Sequence, residues 1–424
     1  MAPITYRSAF LAFLALTSSM AAAPTSNGTV AGPTTSNSTQ TAGNAQAGYD
    51  AASTTSISNA NCSRQTYNIN VTSENTIFRN VDSNANQTYF TSLIYEYISD
   101  QPLLNNFTAK FQEPQKRRVN STYKISGVLC HPRQNKANST IQLLVHGIGF
   151  DSSYWNFNPG DETYSYAYQA AAAGYTTFRY DRLGTGLSEH PSDTYNAVQA
   201  PTDLAILSEI ARRLRAGQIG GRSYNRIIGV GHSYGSIQLQ ATTANNPQAV
   251  DAVVLTGYTA NATGVPLYYS AAVYSTATDV FPQRFQNGSI ARGYLATVAP
   301  QASAYAFLYF PYYTQRAAEL ARKTEQPVTQ GVLFTLGGVN KPATEFRGPV
   351  HVVTGANDFI FIVGNAYATP PGSGLRSIPE GVKALYPATS NFSVSVPPNT
   401  GHGISAHQSA PQIYAGIQTY LAGI

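Results

Sequence analysis

Gly231-His232-Ser233-Tyr234-Gly235 is the stretch whose residue types and spacing most directly suggest chemistry. The apolar run Ile227-Ile-Gly-Val230 precedes it, and a helical pattern from Ser236 to Asn245 follows. On a tight turn between a strand and a helix, Ser233 would project its hydroxyl above the sheet, with the helix N-terminus favouring negative charge beneath it. Gly231 and Gly235 suit such a turn, because a Cβ at either position would clash. An ordinary strand-to-helix turn can carry the same five residues, so the reading depends on partners elsewhere in the chain.

A serine hydroxyl is a weak nucleophile and needs a base, itself oriented by an acid. The seven histidines are His131, His146, His190, His232, His351, His402 and His407. His402, in Thr400-Gly401-His402-Gly403, falls after the last expected strand and before the last helix, on the same sheet edge as Ser233. His351 is mid-strand and reads as a packed core residue, and His407 is the second candidate. For the acid, Asp358 follows the strand Val350–Val353 in Thr354-Gly-Ala-Asn-Asp358, whereas Asp251 precedes a strand and belongs to the opposite edge. Two backbone N–H donors would hold the oxyanion. Tyr234, next to the nucleophile, would supply one, and Ile148, in His146-Gly147-Ile148-Gly149, the other. The chain order Ser233, Asp358, His402 is diagnostic among serine-hydrolase folds.

The elements that must position these residues follow a regular alternation. Strands are expected at Tyr123–Leu129, Ile141–Val145, Thr176–Tyr180, Ile227–Val230, Ala252–Leu255, Val350–Val353 and Phe392–Val396. Helices are expected at Asp203–Leu214, Ser236–Asn245 and over about 409–422, each with apolar residues at helical spacing. Strands alternating with helices imply an α/β fold, a mostly parallel, doubly wound sheet whose function collects beyond the strand carboxyl ends.

These motifs together resemble the α/β-hydrolase superfamily over roughly residues 123–424. Besides the serine turn, His146-Gly147-x-Gly149 resembles its oxyanion loop, and Asp181-Arg-Leu-Gly184-Thr-Gly186-Leu-Ser188 its Asp-x-x-Gly-x-Gly-x-Ser turn, usually structural. Gly355-Ala-Asn-Asp358 and Gly401-His402 resemble its acid and histidine loops. The resemblance implies a cap in the insertion at about 259–345. Thirteen aromatic residues between Tyr258 and Tyr313 are expected mostly to form the cap's own core, a few of them lining a pocket. Serine rather than aspartate at 233 argues against the epoxide-hydrolase and dehalogenase branches.

The segment before the resemblance reads differently. Residues 1–23 have the build of a secretory signal: Arg7, the apolar run Ala9–Leu16, then Ala21-Ala-Ala23. Residues 24–60, almost all Ser, Thr, Ala, Gly and Asn, are expected to be a disordered stalk, and 61–122 an extension packing on the core. Lys116-Arg117-Arg118 in that extension reads as a solvated basic loop, with a dibasic processing site as the alternative. Asn27, Asn37, Asn61, Asn70, Asn86, Asn106, Asn120, Asn138, Asn261, Asn287 and Asn391 each begin an N-x-S/T sequon. Cys62 and Cys130, the only cysteines, are expected to form one disulfide in an oxidising compartment. The sequence therefore reads as a secreted protein with no membrane-spanning run.

Composition narrows the partners. Of 424 residues, 26 are Lys or Arg and 21 are Asp or Glu, so charge is scarce and the net charge is only +5. With one short basic run and no aromatic platform beside it, no nucleic-acid partner is expected. From Tyr258 to Tyr313 the charged residues are Asp279, Arg284 and Arg292 alone, which points to a neutral, fairly apolar small molecule as substrate. The expectation is a serine esterase or lactonase needing no metal or organic cofactor. A peptidase of the same fold, a non-hydrolytic cyclase or lyase, and a binding protein are the alternatives.

Overall fold

The computed structural model describes residues 54–100, 106–134, 139–285 and 288–424. The expected signal segment, the stalk up to residue 53, and the sequons at Asn27, Asn37, Asn138 and Asn287 lie outside the described residues.

Eight strands form one sheet. In chain order they are β1 (Ala60–Phe78), β2 (Gln112–Pro132), β3 (Thr140–Val145), β4 (Thr176–Tyr180), β5 (Arg226–His232), β6 (Ala252–Thr256), and, after the cap, β10 (Val350–Val353) and β11 (Phe392–Ser395). Their spatial order is β1-β2-β4-β3-β5-β6-β10-β11. From β4 to β11 every pairing is parallel, while β1 and β2 are antiparallel at one edge. The central strands β3, β5 and β6 are buried along nearly their whole length, as expected of Val- and Ile-rich strands covered by helices on both faces. Helices α1 (Gln87–Ile98) and α2 (Phe107–Phe111) join β1 to β2. Helices α3 (Tyr166–Ala172), α4 (Ala200–Arg215) and α5 (Tyr234–Asn245) connect the parallel strands.

The N-terminal region differs from the sequence expectation in three ways. Residues 61–122 pack on the core through Phe90, Leu93, Ile94 and Phe107, and they also extend the sheet itself, supplying β1 and half of β2, so the expected strand at Tyr123–Leu129 is the inner part of a much longer one. The basic run Lys116-Arg117-Arg118 is strand rather than loop, paired with Glu74-Asn75-Thr76. And the chain is packed from Thr54 onward, six residues before the expected end of the stalk, because the buried Arg179 guanidinium takes the Thr54 and Thr55 carbonyls at 2.7 and 2.9 Å. Cys62 and Cys130 face each other across β1 and β2 and form a disulfide.

Between β6 and β10 lies the cap. It contains α6 (Val265–Ala272), α7 (Ala277–Val280), α8 (Pro300–Phe307), α9 (Gln315–Thr324) and α10 (Gln330–Thr335). A small sheet of β7 (Ser275–Thr276), β8 (Tyr294–Ala296) and β9 (Val328–Thr329) runs through it. Its tyrosines are mostly internal: Tyr258, Tyr268, Tyr269, Tyr274 and Tyr294 are buried, and the Tyr268 and Tyr274 hydroxyls bond each other. The short α11 (Phe359–Ile362) follows β10, and α12 (Ala410–Ala422) closes the chain against α3. Among the described residues no helix is long and apolar enough to cross a membrane.

Candidate active site

Ser233 occupies the one-residue turn between β5 and α5, with φ 55° and ψ −119°. A left-handed φ is rare for a residue with a Cβ and marks stored strain. The flanking glycines make the turn possible. A Cβ on Gly231 would come within 2.6 Å of the Ser236 nitrogen, and one on Gly235 within 2.0 Å of the Val145 carbonyl oxygen. The Ser233 N–H donates to Thr256 O at 2.9 Å, which ties the turn to the end of β6.

Asp358 caps α11, its Oδ1 accepting the Phe361 N–H at 3.0 Å, while Oδ2 lies 2.6 Å from His402 Nδ1. Both side chains are fully buried. The loops carrying them approach closely because Gly355 lacks a side chain: a Cβ there would sit 2.3 Å from Thr400 O. With Nδ1 committed to Asp358, His402 Nε2 is left buried and without a hydrogen-bond partner. The His402 ring packs 4.9 Å from that of His232, the residue preceding the serine, and Gly257 at the end of β6 leaves space for both.

The two other histidines weighed as strand-edge or core residues, His407 and His351, are committed elsewhere. His407 Nε2 accepts the Tyr309 and Gly401 N–H groups, both at 3.0 Å, and its Nδ1 bonds Gly403 O at 2.9 Å. No ring nitrogen of the second candidate is free; it holds the loop that carries His402. His351 is buried within the sheet, on Ser393 and Tyr420. Asp251 meets Arg215 and the Ile227 N–H at the start of β5, on the opposite edge. Asp181 closes its own turn, accepting the Leu187 and Ser152 N–H groups, and pairs with Arg64 of β1.

Gly147 lies against the serine: a Cβ there would be 2.8 Å from Ser233 Cβ and 3.4 Å from its Oγ. The two expected oxyanion donors, the N–H groups of Ile148 and Tyr234, make no backbone hydrogen bond among the described residues. Behind them is a buried ion pair that sequence reasoning missed, Arg182 with Asp203, its Nη1 3.0 Å from Oδ2. Asp203 stood out only as a helix start and Arg182 only as a turn residue. Their separation of 21 positions leaves no local signal of the pairing.

A cavity of about 600 Å³ opens beside these groups. Its lining includes Gly149 and Phe150, which follow the expected donor Ile148, Gly403 next to His402, and Phe307 of α8. Phe307 also packs on the His402 ring, at 5.7 Å. Of the cap aromatics, only Phe307 and Tyr313 line it. The lining also includes Arg322 and Glu325, which pair with each other at 2.6 Å, Glu325 also accepting from Thr297. Burial raises the Glu325 carboxyl above its ordinary range, against the pull of Arg322. No group of three or more His, Cys, Asp or Glu side chains is placed to hold a metal ion among the described residues.

A profile of the Alpha/beta hydrolase family matches residues 142–417. The chain belongs to the alpha/beta hydrolase family. The match spans the elements that carry Ser233, Asp358 and His402, and it leaves β1 and β2 wholly outside. Several solved structures align at low identity. They include a putative hydrolase from Rickettsia typhi, at 14% identity and a TM-score of 0.48, covering 74% of this chain and 95% of that one. A thermophilic esterase from Thermogutta terrifontis aligns at 15% identity and a TM-score of 0.45, over 71% of this chain and 94% of that one. The monoacylglycerol lipase of Paleococcus ferrophilus aligns at 14% and 0.45, over 71% and 98%. No curated protein matches the chain by sequence.

Proposed function

We propose that this alpha/beta hydrolase is a secreted serine hydrolase that cleaves a carboxylic ester or lactone of a neutral, fairly apolar small molecule. One observation carries the reading. Ser233 is held at a left-handed φ on the strand-to-helix turn, while His402, bonded to Asp358 through Nδ1, keeps its Nε2 unpartnered on the same sheet edge. Ser233 Oγ attacks the carbonyl carbon as His402 Nε2 takes its proton, and the negative charge on the carbonyl oxygen is received by the Ile148 and Tyr234 N–H groups. His402 then returns the proton to the leaving alcohol. Water, activated by the same nitrogen, releases the acid and regenerates Ser233.

The cavity supports the substrate class, since its buried carboxylate is not free to hold an amine: Glu325 is bound to Arg322 and Thr297. That weighs against an aminopeptidase. Secretion belongs to the same reading, supported by the Cys62–Cys130 disulfide and by exposed sequon residues at Asn61, Asn70, Asn86, Asn106, Asn120 and Asn391, with Asn261 half-buried. Labelling by a fluorophosphonate probe tests the serine. The intact protein is expected to be labelled and Ser233→Ala not; unlabelled intact protein removes the reading, and turnover surviving in Ser233→Ala indicates a non-hydrolytic cyclase or lyase.

A further inference from the structure

We infer that Arg182 is a positioning residue for acyl transfer: it aligns and polarises the backbone N–H of Ile148 and, together with buried Asp203, fixes the side chain of Tyr234, whose backbone N–H is the second donor. The inference rests on the serine-hydrolase reading and goes beyond it, to what holds the oxyanion site in shape.

The peptide unit joining Gly147 to Ile148 has its carbonyl gripped from behind. Arg182 Nη2 donates to Gly147 O at 3.2 Å, and His146 Nδ1 lies 2.9 Å from the same oxygen. The tautomer of His146 follows from its other nitrogen, because Nε2 accepts the Arg182 backbone N–H at 3.0 Å. Nδ1 therefore carries the proton and donates. Burial and the neighbouring Arg182 charge hold this imidazole well below its usual range, so it stays neutral. In a trans peptide the C=O and N–H point in opposite directions. Fixing Gly147 O on the Arg182 side thus turns the Ile148 N–H away from it. Donors on the carbonyl, one of them cationic, also withdraw electron density through the amide and strengthen the N–H as a donor.

The second donor has the same build. Ser233 O accepts the Ser236 and Ile237 N–H groups at 2.9 and 3.1 Å, and the N–H of that peptide unit is Tyr234's. The Tyr234 side chain is tied to the same ion pair: its hydroxyl donates to Asp203 Oδ2 at 3.0 Å, and the Arg182 guanidinium lies 4.7 Å from its ring centroid. One buried pair therefore touches both halves of the oxyanion site. Arg182 is 1% exposed and Asp203 2%, so neither competes with water for these partners. A pair serving only to dock α4 on the 181–188 turn would need neither the Gly147 carbonyl nor the Tyr234 ring.

Arg182→Lys keeps the charge beside Asp203 but cannot span Asp203 and Gly147 O with a planar fork. Removing one oxyanion donor outright costs about 10²–10³ in kcat; loosening one is expected to cost about 10- to 100-fold. Steady-state kinetics on p-nitrophenyl butyrate should show that loss in kcat, with KM within about twofold. The Ki of an alkyl trifluoromethyl ketone, whose serine adduct places an oxyanion on the same N–H groups, should rise by the same factor. Folded Arg182→Lys with unchanged kcat and unchanged Ki overturns the inference, as does a fall in kcat with no change in Ki. If Arg182→Lys does not fold, Tyr234→Phe, which keeps the ion pair, decides: a matched fall of about threefold or more supports the inference, and none overturns it. Wild-type protein left unlabelled by a fluorophosphonate would instead remove the serine-hydrolase reading itself.

Discussion

His402 Nδ1 stands 2.6 Å from Asp358 Oδ2, in a contact wholly screened from solvent, and Asp358's other oxygen is held by the Phe361 N–H. Asp358 can therefore only accept from both, and His402 must carry its proton on Nδ1. In Asp358→Asn the amide keeps the helix cap but presents an N–H to Nδ1, which moves the imidazole proton to Nε2 and removes the base. We expect kcat to fall about 10³- to 10⁴-fold with KM little changed and the thermal midpoint nearly preserved. Kinetics with circular dichroism check this, and a loss below tenfold would mean that Asp358 does not orient the base.

Gly147 offers a test of the oxyanion loop that leaves every polar group in place. Its Cβ would stand 2.8 Å from Ser233 Cβ and 3.1 Å from His232 O, so either the loop or the serine turn must shift. Gly147→Ala should slow fluorophosphonate labelling by about tenfold or more while the protein remains folded. Labelling at the wild-type rate would show that the loop can move away without consequence.

Protonation of His407 would break the loop anchor. Burial pushes its imidazole down to about 4, and neutral Nε2 accepts two backbone N–H groups. The unfolded chain takes up this proton below about 6.5, the folded chain only near 4. Stability contributed by neutral His407 is thus complete above pH 6.5 and lost as pH falls toward 4, at a slope approaching about 1.4 kcal/mol per pH unit. His190 and His351, each also pushed to about 4 by burial, titrate in the same window. Buried Asp203 and Glu325, with raised carboxyls, act in the opposite sense, so the comparison is between variants. Urea unfolding from pH 7 to 4 should show a shallower decline for His407→Gln than for wild type; parallel curves would refute the assignment.

The parts of the site legible in the sequence were those encoded locally. The strand, turn glycines and helix around Ser233 are contiguous, and Asp358 and His402 each follow an apolar run that ends at the same sheet edge. Position along the strand sufficed to reject Asp251. Other features depend on contacts between distant segments. β1 carries Asn, Ser and Thr at many positions, and Ser73, Asn75 and Thr76 are buried against polar partners on and near α4, so no clean apolar alternation announces the strand. The Arg182–Asp203 pair joins a turn to a helix with no motif spanning both. The cap's order draws on buried tyrosines bonded to one another, as Tyr268 and Tyr274 are, and to backbone, as Tyr269 is to Leu333 O, which composition alone could not arrange.

Asn70 and Asn120 lie on the solvent face of the β1–β2 ribbon, where Asn70 pairs with Thr122 and Thr72 with Asn120. β1 is the outermost strand; Gln199 and Asn196 cover its end at Thr76 and Phe78, and the stretch around Asn70 is a template for pairing with another chain. Glycans at these two positions would shield that edge. Protein secreted from a eukaryotic host should carry N-glycans at both, seen as Asn-to-Asp mass changes after enzymatic release. The double variant Asn70→Gln/Asn120→Gln should aggregate more readily at equal concentration. Bare asparagine at both sites would dispose of this idea.

Phe307 is the cap aromatic that both lines the cavity and packs on His402, and its ring lies 3.6 Å from where a Cβ on Gly149 would stand. Its ring also meets Phe150 at 5.3 Å and Tyr268 at 5.9 Å, so it is wedged between the oxyanion loop and the cap core. If the substrate's apolar portion occupies the cavity, this ring sets how much room lies between that portion and the reacting carbonyl. Phe307→Ala removes it without touching a hydrogen bond. Across a series of p-nitrophenyl esters, kcat/KM for long or branched acyl chains should rise relative to acetate by about fivefold or more, while kcat on acetate itself falls as the small substrate loses its wall. A chain-length profile unchanged by Phe307→Ala would show that substrate reaches Ser233 by another route, and the cavity would lose its claim to be the substrate pocket.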